Sequence, residues 1–145
     1  MAVDAALLRG LSLFRELNEA QLEKVASLCS EMPVFPGQTF FREHEPGKAI
    51  FVLPRGEVEI LYTAGGDAMA CREWIGVGEV LGVRALIPPY RYLTTARSIT
   101  EGTLLSIDAI KLGELFQRDG QLAKSLLARL ISVILSRIGT LRALL

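Results

Sequence analysis

The stretch of sequence that decides the fold runs from residue 45 to residue 58 and reads Glu45-Pro46-Gly47-Lys48-Ala49-Ile50-Phe51-Val52-Leu53-Pro54-Arg55-Gly56-Glu57-Val58. Its two glycines, Gly47 and Gly56, stand where tight turns require a positive φ, which glycine adopts without steric penalty. The apolar run between them has the composition of a buried strand, and the β-rich run from Val58 to Tyr62 follows it directly. The stretch therefore predicts two successive strands joined by a tight turn.

Outside this stretch, the pattern of apolar residues changes twice along the chain. Residues 4–32 carry apolar side chains at helical spacing, and Asn18 is a start signal for a second helix within them. Residues 34–107 consist of short β-rich segments separated by Gly and Pro, a pattern typical of sandwiches and barrels. The predicted fold class is mainly β with flanking helices.

The helical period returns in the last quarter of the chain. Asp108 is expected to cap a short helix that runs through Phe116, and Asp119 or Gly120 is expected to begin a long helix that runs to the end. No internal repeat or low-complexity linker divides the sequence. We therefore expect residues 1–145 to form one domain, with N-terminal helices (1–32), a β-roll (33–107) and C-terminal helices (108–145).

Length and charge exclude several classes of function. The 145 residues are 50% hydrophobic, which is enough for one domain with its own core. Sixteen Lys and Arg balance sixteen Asp and Glu, without the basic stripe that a nucleic-acid binder normally shows. The most apolar segment, 122–145, is interrupted by basic residues, whereas a membrane span needs about 20 consecutive apolar residues. The sequence therefore predicts a cytoplasmic protein that binds neither nucleic acid directly nor a membrane.

No set of side chains has the spacing of a catalytic or metal site. His44, the single histidine, lies in a charged Glu-His-Glu-Pro turn without a matched ligand or triad partner, so a surface turn is expected. Cys29 and Cys71 lack metal-like spacing and are expected to be small buried residues in a reducing compartment. We therefore predict a protein that is not an enzyme, with no catalytic residues, no metal and no resident cofactor.

Three segments, taken in order, resemble the cyclic-nucleotide-binding domain family. They are Leu11–Leu17 with Phe35-Pro36-Gly37-Gln38 after it, the stretch quoted above, and residues 76–86, which read Gly-Val-Gly-Glu-Val-Leu-Gly-Val-Arg-Ala-Leu. Each segment alone is a weak signal, because Gly-rich turns are common in β proteins. Together they are similar to the catabolite activator and the regulatory subunit of protein kinase A. The resemblance implies a double-stranded β-helix, or jelly roll, with a long C-terminal helix.

The same resemblance implies a phosphate-binding cassette over residues 82–95. In the family, backbone N–H groups of a short helix at the start of the cassette point at the cyclic phosphate. A glutamate binds the ribose and an arginine nine residues later pairs with the phosphate, but here these positions hold Val83 and Tyr92. Thr95 matches a family threonine, whereas Arg91 is one residue from the arginine position and on a strand would point to the opposite face. The candidate ligand-binding residues are Leu81, Gly82, Val83, Arg84, Ala85, Leu86, Arg91, Tyr92, Thr94 and Thr95.

The two replaced positions change the expected response to a ligand. A buried charge-assisted hydrogen bond contributes roughly 1.5–3 kcal/mol, so the loss of both contacts would weaken cyclic-nucleotide binding by roughly two to four orders of magnitude. We therefore expect a regulatory or sensory module in signal transduction, with cAMP or cGMP binding weakened or replaced by another ligand. The alternatives are a structural dimerisation module without a small-molecule ligand and a fragment of a catabolite-activator-type transcription regulator.

Three arginines around the expected pocket leave the chemistry of a replacement ligand open. One interpretation is that Arg84, Arg91 and Arg97 recognise a different anion, such as a carboxylate or another phosphate compound. The other is that they are solvated strand and loop residues, because Lys and Arg are mostly exposed.

The last helix has more apolar surface than one side of a β-roll can cover. A spacing of 4-3-4-3-4, which is typical of a helix–helix seam, is shared by Leu127, Ile131, Ile134, Ile138, Leu141 and Leu145. In the family this helix commonly forms a two-fold dimer, so the resemblance implies a homodimer through residues 122–145. The alternative is that a longer protein continues past Leu145 and covers this surface.

Overall fold

The computed structural model describes residues 3–62, 71–75 and 78–144, with side chains described for residues 3–61 and 78–135. Within these residues, eight strands form two four-stranded antiparallel sheets, and helices lie before and after them. This arrangement confirms the predicted fold class, mainly β with flanking helices.

The chain begins with two short helices. Helix α1 spans Ala5–Arg9, a 3-10 turn spans Ser12–Phe14 and helix α2 spans Glu19–Ala26. Helix α2 begins where the sequence predicts, because Asn18 and Gln21 form a capping box. Each of their side chains accepts a hydrogen bond from the backbone N–H of the other residue, and both bonds measure 2.9 Å.

The two sheets face each other across a shared apolar core. The first sheet consists of β1 (Cys29–Val34), β3 (Ala49–Arg55), β6 (Val80–Leu81) and β8 (Gly102–Asp108), in the order β1-β8-β3-β6. The second consists of β2 (Thr39–Phe41), β4 (Val58–Tyr62), β5 (Cys71–Ile75) and β7 (Thr95–Ser98), in the order β2-β7-β4-β5. Most consecutive strands belong to opposite sheets, so the chain winds around the core as in a jelly roll.

Two helices follow the sheets, α3 (Ala109–Arg118) and α4 (Gly120–Leu144). Asp108 caps α3 as predicted, because its side chain accepts a hydrogen bond of 3.0 Å from the Lys111 N–H. The end of α3 was expected at Phe116, but the structure extends the helix through Arg118.

Asp119 begins α4 as predicted and also ties this helix to α2. Its carboxylate accepts a hydrogen bond of 3.0 Å from the Leu122 N–H and pairs with Lys24 Nζ at 3.1 Å. These contacts hold the pKa of Asp119 below its usual range. The first half of α4 then packs on the core through Leu122, Leu126 and Leu130.

Two glycines of the 45–58 stretch serve different purposes. Gly56 has a φ of 117°, so it is the turn glycine that the sequence predicts. The prediction for Gly47 is wrong, because its φ does not lie in the positive region. Glycine is required there by close packing, since an added Cβ would lie 2.8 Å from the Cα of Ala85.

The burial of Cys29 and the exposure of His44 agree with the sequence predictions. Cys29 is buried, its thiol donates to the Val25 carbonyl, and burial raises its pKa to about 12, so the thiol stays neutral at pH 7. His44 is exposed, as expected of a surface turn, whereas the side chain of Cys71 lies outside the described residues. In the part of the chain with described structure, no helix is long and apolar enough to span a membrane.

Substitution of Gly102 by alanine should destabilise the sheet strongly. An added Cβ would overlap the Arg55 carbonyl oxygen and lie 3.0 Å from the Cα of Gly56, and backbone atoms cannot move aside as a flexible side chain can. We expect Gly102→Ala to lower the free energy of unfolding by about 3 kcal/mol, at the upper end of overpacking penalties. Urea unfolding followed by circular dichroism measures this loss.

Gly113→Ala is the matched control, because Gly113 lies in α3 and an added Cβ there has open space around it. Alanine has the higher helix propensity, so this variant should gain about 1 kcal/mol. Equal unfolding midpoints for the two variants would contradict the packing described at Gly102.

Candidate functional site

A left-handed turn at Gly82 follows β6 and begins the short helix expected of the cassette. Gly82 has φ 74° and ψ 28°, and the 3-10 helix Val83–Leu86 comes directly after it. The Ala85 N–H donates to the Gly82 carbonyl at 3.1 Å. A larger residue at position 82 would be strained by this φ, and its Cβ would lie 3.0 Å from Cε1 of Tyr92.

The first turn of this helix presents backbone donors. The N–H groups of Val83 and Arg84 have no acceptor within the helix, as at the start of any helix. Such N–H groups favour a negatively charged neighbour. The backbone can therefore offer hydrogen bonds to an anion at this position.

Strand β3 has an incomplete hydrogen-bonding edge beside the same turn. In the described register, β6 pairs with β3 through Leu81 opposite Phe51 and Val80 opposite Val52. The chain then turns away, so no β6 residue lies opposite Ala49, two positions before Phe51. A buried backbone N–H or C=O without a partner is costly, and the backbone of Ala49 therefore needs another partner.

Tyr92 supplies that partner. Its hydroxyl donates to the Ala49 carbonyl at 2.7 Å and accepts from the Ala49 N–H at 3.3 Å. Its ring stacks on Phe41, with centroids 4.2 Å apart and planes 23° from parallel. The residue is 5% exposed, and burial raises the pKa of its hydroxyl, which is therefore neutral at pH 7. The side chain of Tyr92 thus occupies the space beside Gly82.

Backbone hydrogen bonds fix the segment around Tyr92 to the loop that precedes β3. The Tyr92 N–H donates to the Glu45 carbonyl at 3.0 Å, and the Tyr92 carbonyl accepts from the His44 N–H at 2.8 Å. The Gly47 N–H donates to the Tyr90 carbonyl at 2.7 Å. The backbone on both sides of Tyr92 is therefore held in place.

Arg91 and Thr95 contact the same loop. Arg91 is exposed, and its Nη1 donates to the His44 carbonyl at 2.8 Å. Thr95 Oγ1 accepts from the Glu43 N–H at 3.0 Å. Arg91 and the buried Tyr92 thus point to opposite sides, as the sequence predicts, and the guanidinium of Arg91 is engaged at the surface.

The other two arginines differ in their contacts. Arg97 pairs across the sheet with the buried Glu59, and its Nε donates to Oε1 of that carboxylate at 3.0 Å. Arg84 lies half-buried in the cassette helix, and its Nε is buried without a hydrogen-bond partner among the described residues. Arg84 therefore retains a donor that the described part of the chain does not use.

The remaining candidate residues surround the cassette helix. Leu81 and Ala85 are buried, and Val83 and Leu86 are half-buried against the core. Thr94 is half-buried. The structure thus brings Gly82 and Tyr92 into contact, and the assignment of these residues to ligand binding stays a prediction.

No group of three or more His, Cys, Asp or Glu among the described residues could hold a metal ion. His44 Nε2 lies 3.7 Å from Oε2 of Glu43, and the imidazole is exposed.

Phe41 and Ala49 are neighbours of Tyr92 that were not predicted from the sequence. A buried tyrosine needs a packing surface for its ring and a partner for its hydroxyl, so the Phe40-Phe41 pair was a detectable candidate for the ring. Ala49 contributes through its backbone alone, and no side-chain pattern reports such a role.

Known proteins resemble this chain in sequence. A sequence model described as the cyclic nucleotide-binding domain matches residues 32–119. A protein of Rhodopseudomonas palustris described as a potassium channel is 23% identical over 124 residues, which are 86% of this chain and 30% of that protein. Human cGMP-dependent protein kinase 2 is 34% identical over 82 residues, which are 55% of this chain and 11% of the kinase. The chain therefore spans less than a third of either relative.

The fold resembles that of a protein from Geobacter metallireducens, whose crystal structure is described as cyclic nucleotide-binding. The TM-score is 0.82 at 25% sequence identity, and the match covers 94% of this chain and 98% of that chain. Because the family's sequence model matches more than half of the 145 residues, the chain belongs to the cyclic nucleotide-binding domain family.

Proposed function

We propose that this chain is a regulatory module of signal transduction in which the binding of cAMP or cGMP is weakened or replaced by another ligand. The observation that carries the proposal is the position of Tyr92, with its hydroxyl on Ala49 and its ring against Gly82. Membership of the family and the similarity to a cGMP-dependent kinase support a regulatory role.

The backbone of the cassette supports a retained scaffold. The left-handed Gly82 and the 3-10 helix after it present the N–H groups of Val83 and Arg84 at a helix start. The hydroxyl of Thr95 accepts from the loop before β3 and still has its own hydrogen to donate. None of these groups depends on a side-chain charge.

The side chains of the cassette support a weakened response. Val83 has no acceptor for a ribose hydroxyl, and the Tyr92 hydroxyl carries no positive charge for a phosphate. The loss of two charge-assisted contacts corresponds to roughly two to four orders of magnitude in affinity. A half-buried valine beside a ribose also desolvates hydroxyls without returning a hydrogen bond.

In our proposal, a replacement ligand of this site carries an anionic group that Arg84 binds. Arg84 supports it, because the buried Nε of this residue has no acceptor in the described part of the chain. Arg91 and Arg97 are engaged with His44 and Glu59, so they offer less to a ligand. Their contacts favour the interpretation of these two arginines as strand and loop residues that do not bind the ligand.

We also propose that two copies associate through α4. Three large apolar side chains of this helix point outward: Leu127 is 39% exposed, Ile131 56% and Leu135 59%. The first two belong to the spacing that predicts a seam, whereas Ile134 is half-buried within the protomer. The seam residues 138, 141 and 145 have side chains outside the described residues.

We further propose that residues 1–145 act as one domain without catalysis, in a reducing cytoplasmic compartment. The shared core supports a single domain, since it includes residues of both sheets and of the helices at each end. The thiol of Cys29 is free, which favours a reducing compartment because disulfides form in oxidising ones.

A structural dimerisation module without a ligand is the second candidate. It is favoured by the same burial of Tyr92, because a ring that is stacked on Phe41 and bonded to Ala49 also completes a core. The two candidates differ in whether the site can bind a ligand at all, and titration separates them.

We expect cAMP and cGMP to bind the unmodified chain weakly or not at all. The double variant Val83→Glu/Tyr92→Arg restores a ribose acceptor and a phosphate partner, and it should raise the affinity for cAMP at least tenfold. Isothermal titration calorimetry on both proteins measures the difference. Micromolar binding by the unmodified chain would contradict the weakened response, and Arg84→Gln would then show whether Arg84 holds the phosphate.

The matched control is Val83→Gln/Tyr92→Met, which has side chains of similar size without the charges. Its glutamine offers only a neutral acceptor and its methionine no donor, so it should bind cAMP less tightly than the charged variant. Absence of binding by the charged variant, when it is folded, would favour the structural candidate.

The dimer through α4 should be broken by Ile131→Asp. This substitution would bury an unpaired carboxylate in the seam, which is strongly unfavourable. Light scattering should report the mass of one chain for this variant and of two chains for the unmodified protein.

Ser132→Asp is the control, because Ser132 is also exposed but lies outside the predicted seam. It should remain dimeric. A monomeric unmodified protein, or a dimer that survives Ile131→Asp, would show that this face is not the interface.

A further inference from the structure

The contacts of Tyr92 carry an inference about how the cassette is closed. We propose that Tyr92 is an internal ligand of its own domain, and that an external ligand binds only when it displaces the ring from Gly82 and the hydroxyl from Ala49. The inference rests on the proposed function, because it concerns the same site, and it identifies the competitor that a ligand meets there.

The hydrogen bonds at Ala49 define what a competing ligand must provide. Tyr92 satisfies both the N–H and the C=O of Ala49 with one hydroxyl. When the ring leaves, both groups lose their partner in a partly buried edge that β6 does not cover. An ionised cyclic phosphate only accepts hydrogen bonds and cannot serve the carbonyl, whereas a hydroxyl or an amide can serve both groups.

The surfaces on either side of the ring define the shape of the occupant. The ring of Phe41 lies 4.2 Å from that of Tyr92 by centroids, and Phe41 in turn stacks on Phe51 at 5.6 Å. Gly82, without a side chain, leaves room for the ring on its side. The space therefore suits a planar ring that carries a group able both to donate and to accept, which is the chemistry of a phenol.

Displacement of Tyr92 requires rotation of the side chain rather than movement of the segment. The backbone of Tyr92 and Tyr90 is bonded to the loop before β3 through Glu45, His44 and Gly47. Rotation breaks the two bonds to Ala49 and the stacking on Phe41, whereas movement of the segment would break the backbone bonds in addition. The closed state is thus held by contacts that one side chain makes.

A first experiment tests the occupant without any nucleotide. Tyr92→Ala creates a space that fits p-cresol, which is the tyrosine side chain as a free molecule. We expect p-cresol to raise the melting temperature of Tyr92→Ala and to leave that of the unmodified chain unchanged. Toluene, which has the ring but no hydroxyl, should have the smaller effect because it leaves Ala49 unpaired.

Each outcome with p-cresol either supports or overturns the inference that Tyr92 is an internal ligand. A selective rise with p-cresol supports the internal ligand. An equal rise for both proteins, or no rise for a folded Tyr92→Ala, overturns it. If Tyr92→Ala does not fold, Tyr92→Phe decides the question: hydrogen exchange at the Ala49 amide should become at least tenfold faster, and unchanged exchange overturns the inference.

A second experiment measures the competition itself. In a Val83→Glu background, which supplies a ribose acceptor, position 92 is varied through Tyr, Phe and Ala. The affinity for cAMP should rise in that order, with at least a tenfold difference between Tyr and Ala. Equal affinities for the three residues at position 92 overturn the competition.

Failure of the inference and failure of the proposed function give different patterns. If p-cresol binds Tyr92→Ala but Val83→Glu/Tyr92→Arg binds no cyclic nucleotide, the closed site stands and the retained scaffold fails. If cyclic nucleotide binds the charged variant but p-cresol is without effect on a folded Tyr92→Ala, the scaffold stands and Tyr92 is no internal ligand.

Discussion

The pairing of β3 along its β6 side is the constraint on which the candidate site depends. Strand β6 has two residues and ends at a left-handed glycine, so Ala49, which lies opposite Asp108 of β8, is left without a strand partner on its β6 side. Buried backbone groups have to be paired, and the hydroxyl of Tyr92 meets this requirement from a segment 43 positions away. The loop before β3, the segment around Tyr92 and the stacked rings are all arranged around this one connection.

Much of the fold could be predicted because its signals are local. Asn18, Asp108 and Asp119 begin helices through hydrogen bonds to residues three positions away, and such caps can be read from a short window. The signal of Gly56, in the turn between β3 and β4, is equally local. Gly47 was misinterpreted because its requirement arises from Ala85, which is distant in the sequence and close only in the folded chain.

The site was harder to predict for the same reason. The family pattern identified which positions are unusual, Val83 and Tyr92, but it carried no information on what Tyr92 does in place of an arginine. The arginines show a related difficulty: their charge suggested a cluster, whereas Arg91 and Arg97 are satisfied by neighbours in space. Whether a polar group is free for a ligand depends on contacts that no spacing rule describes.

The anchoring of α4 has a mechanical consequence. The last of its core-facing leucines, Leu130, is buried, and Arg129 donates to the Ser12 carbonyl, while the helix continues to Leu144. At about 1.5 Å per residue, roughly 20 Å of helix extends beyond this fulcrum, so a tilt of about 10° there would carry the tip through about 4 Å. Helix α4 is in this sense a lever: a small rearrangement at Arg129 and Leu130, where the helix meets the 3-10 turn, becomes a displacement of several ångströms at its far end.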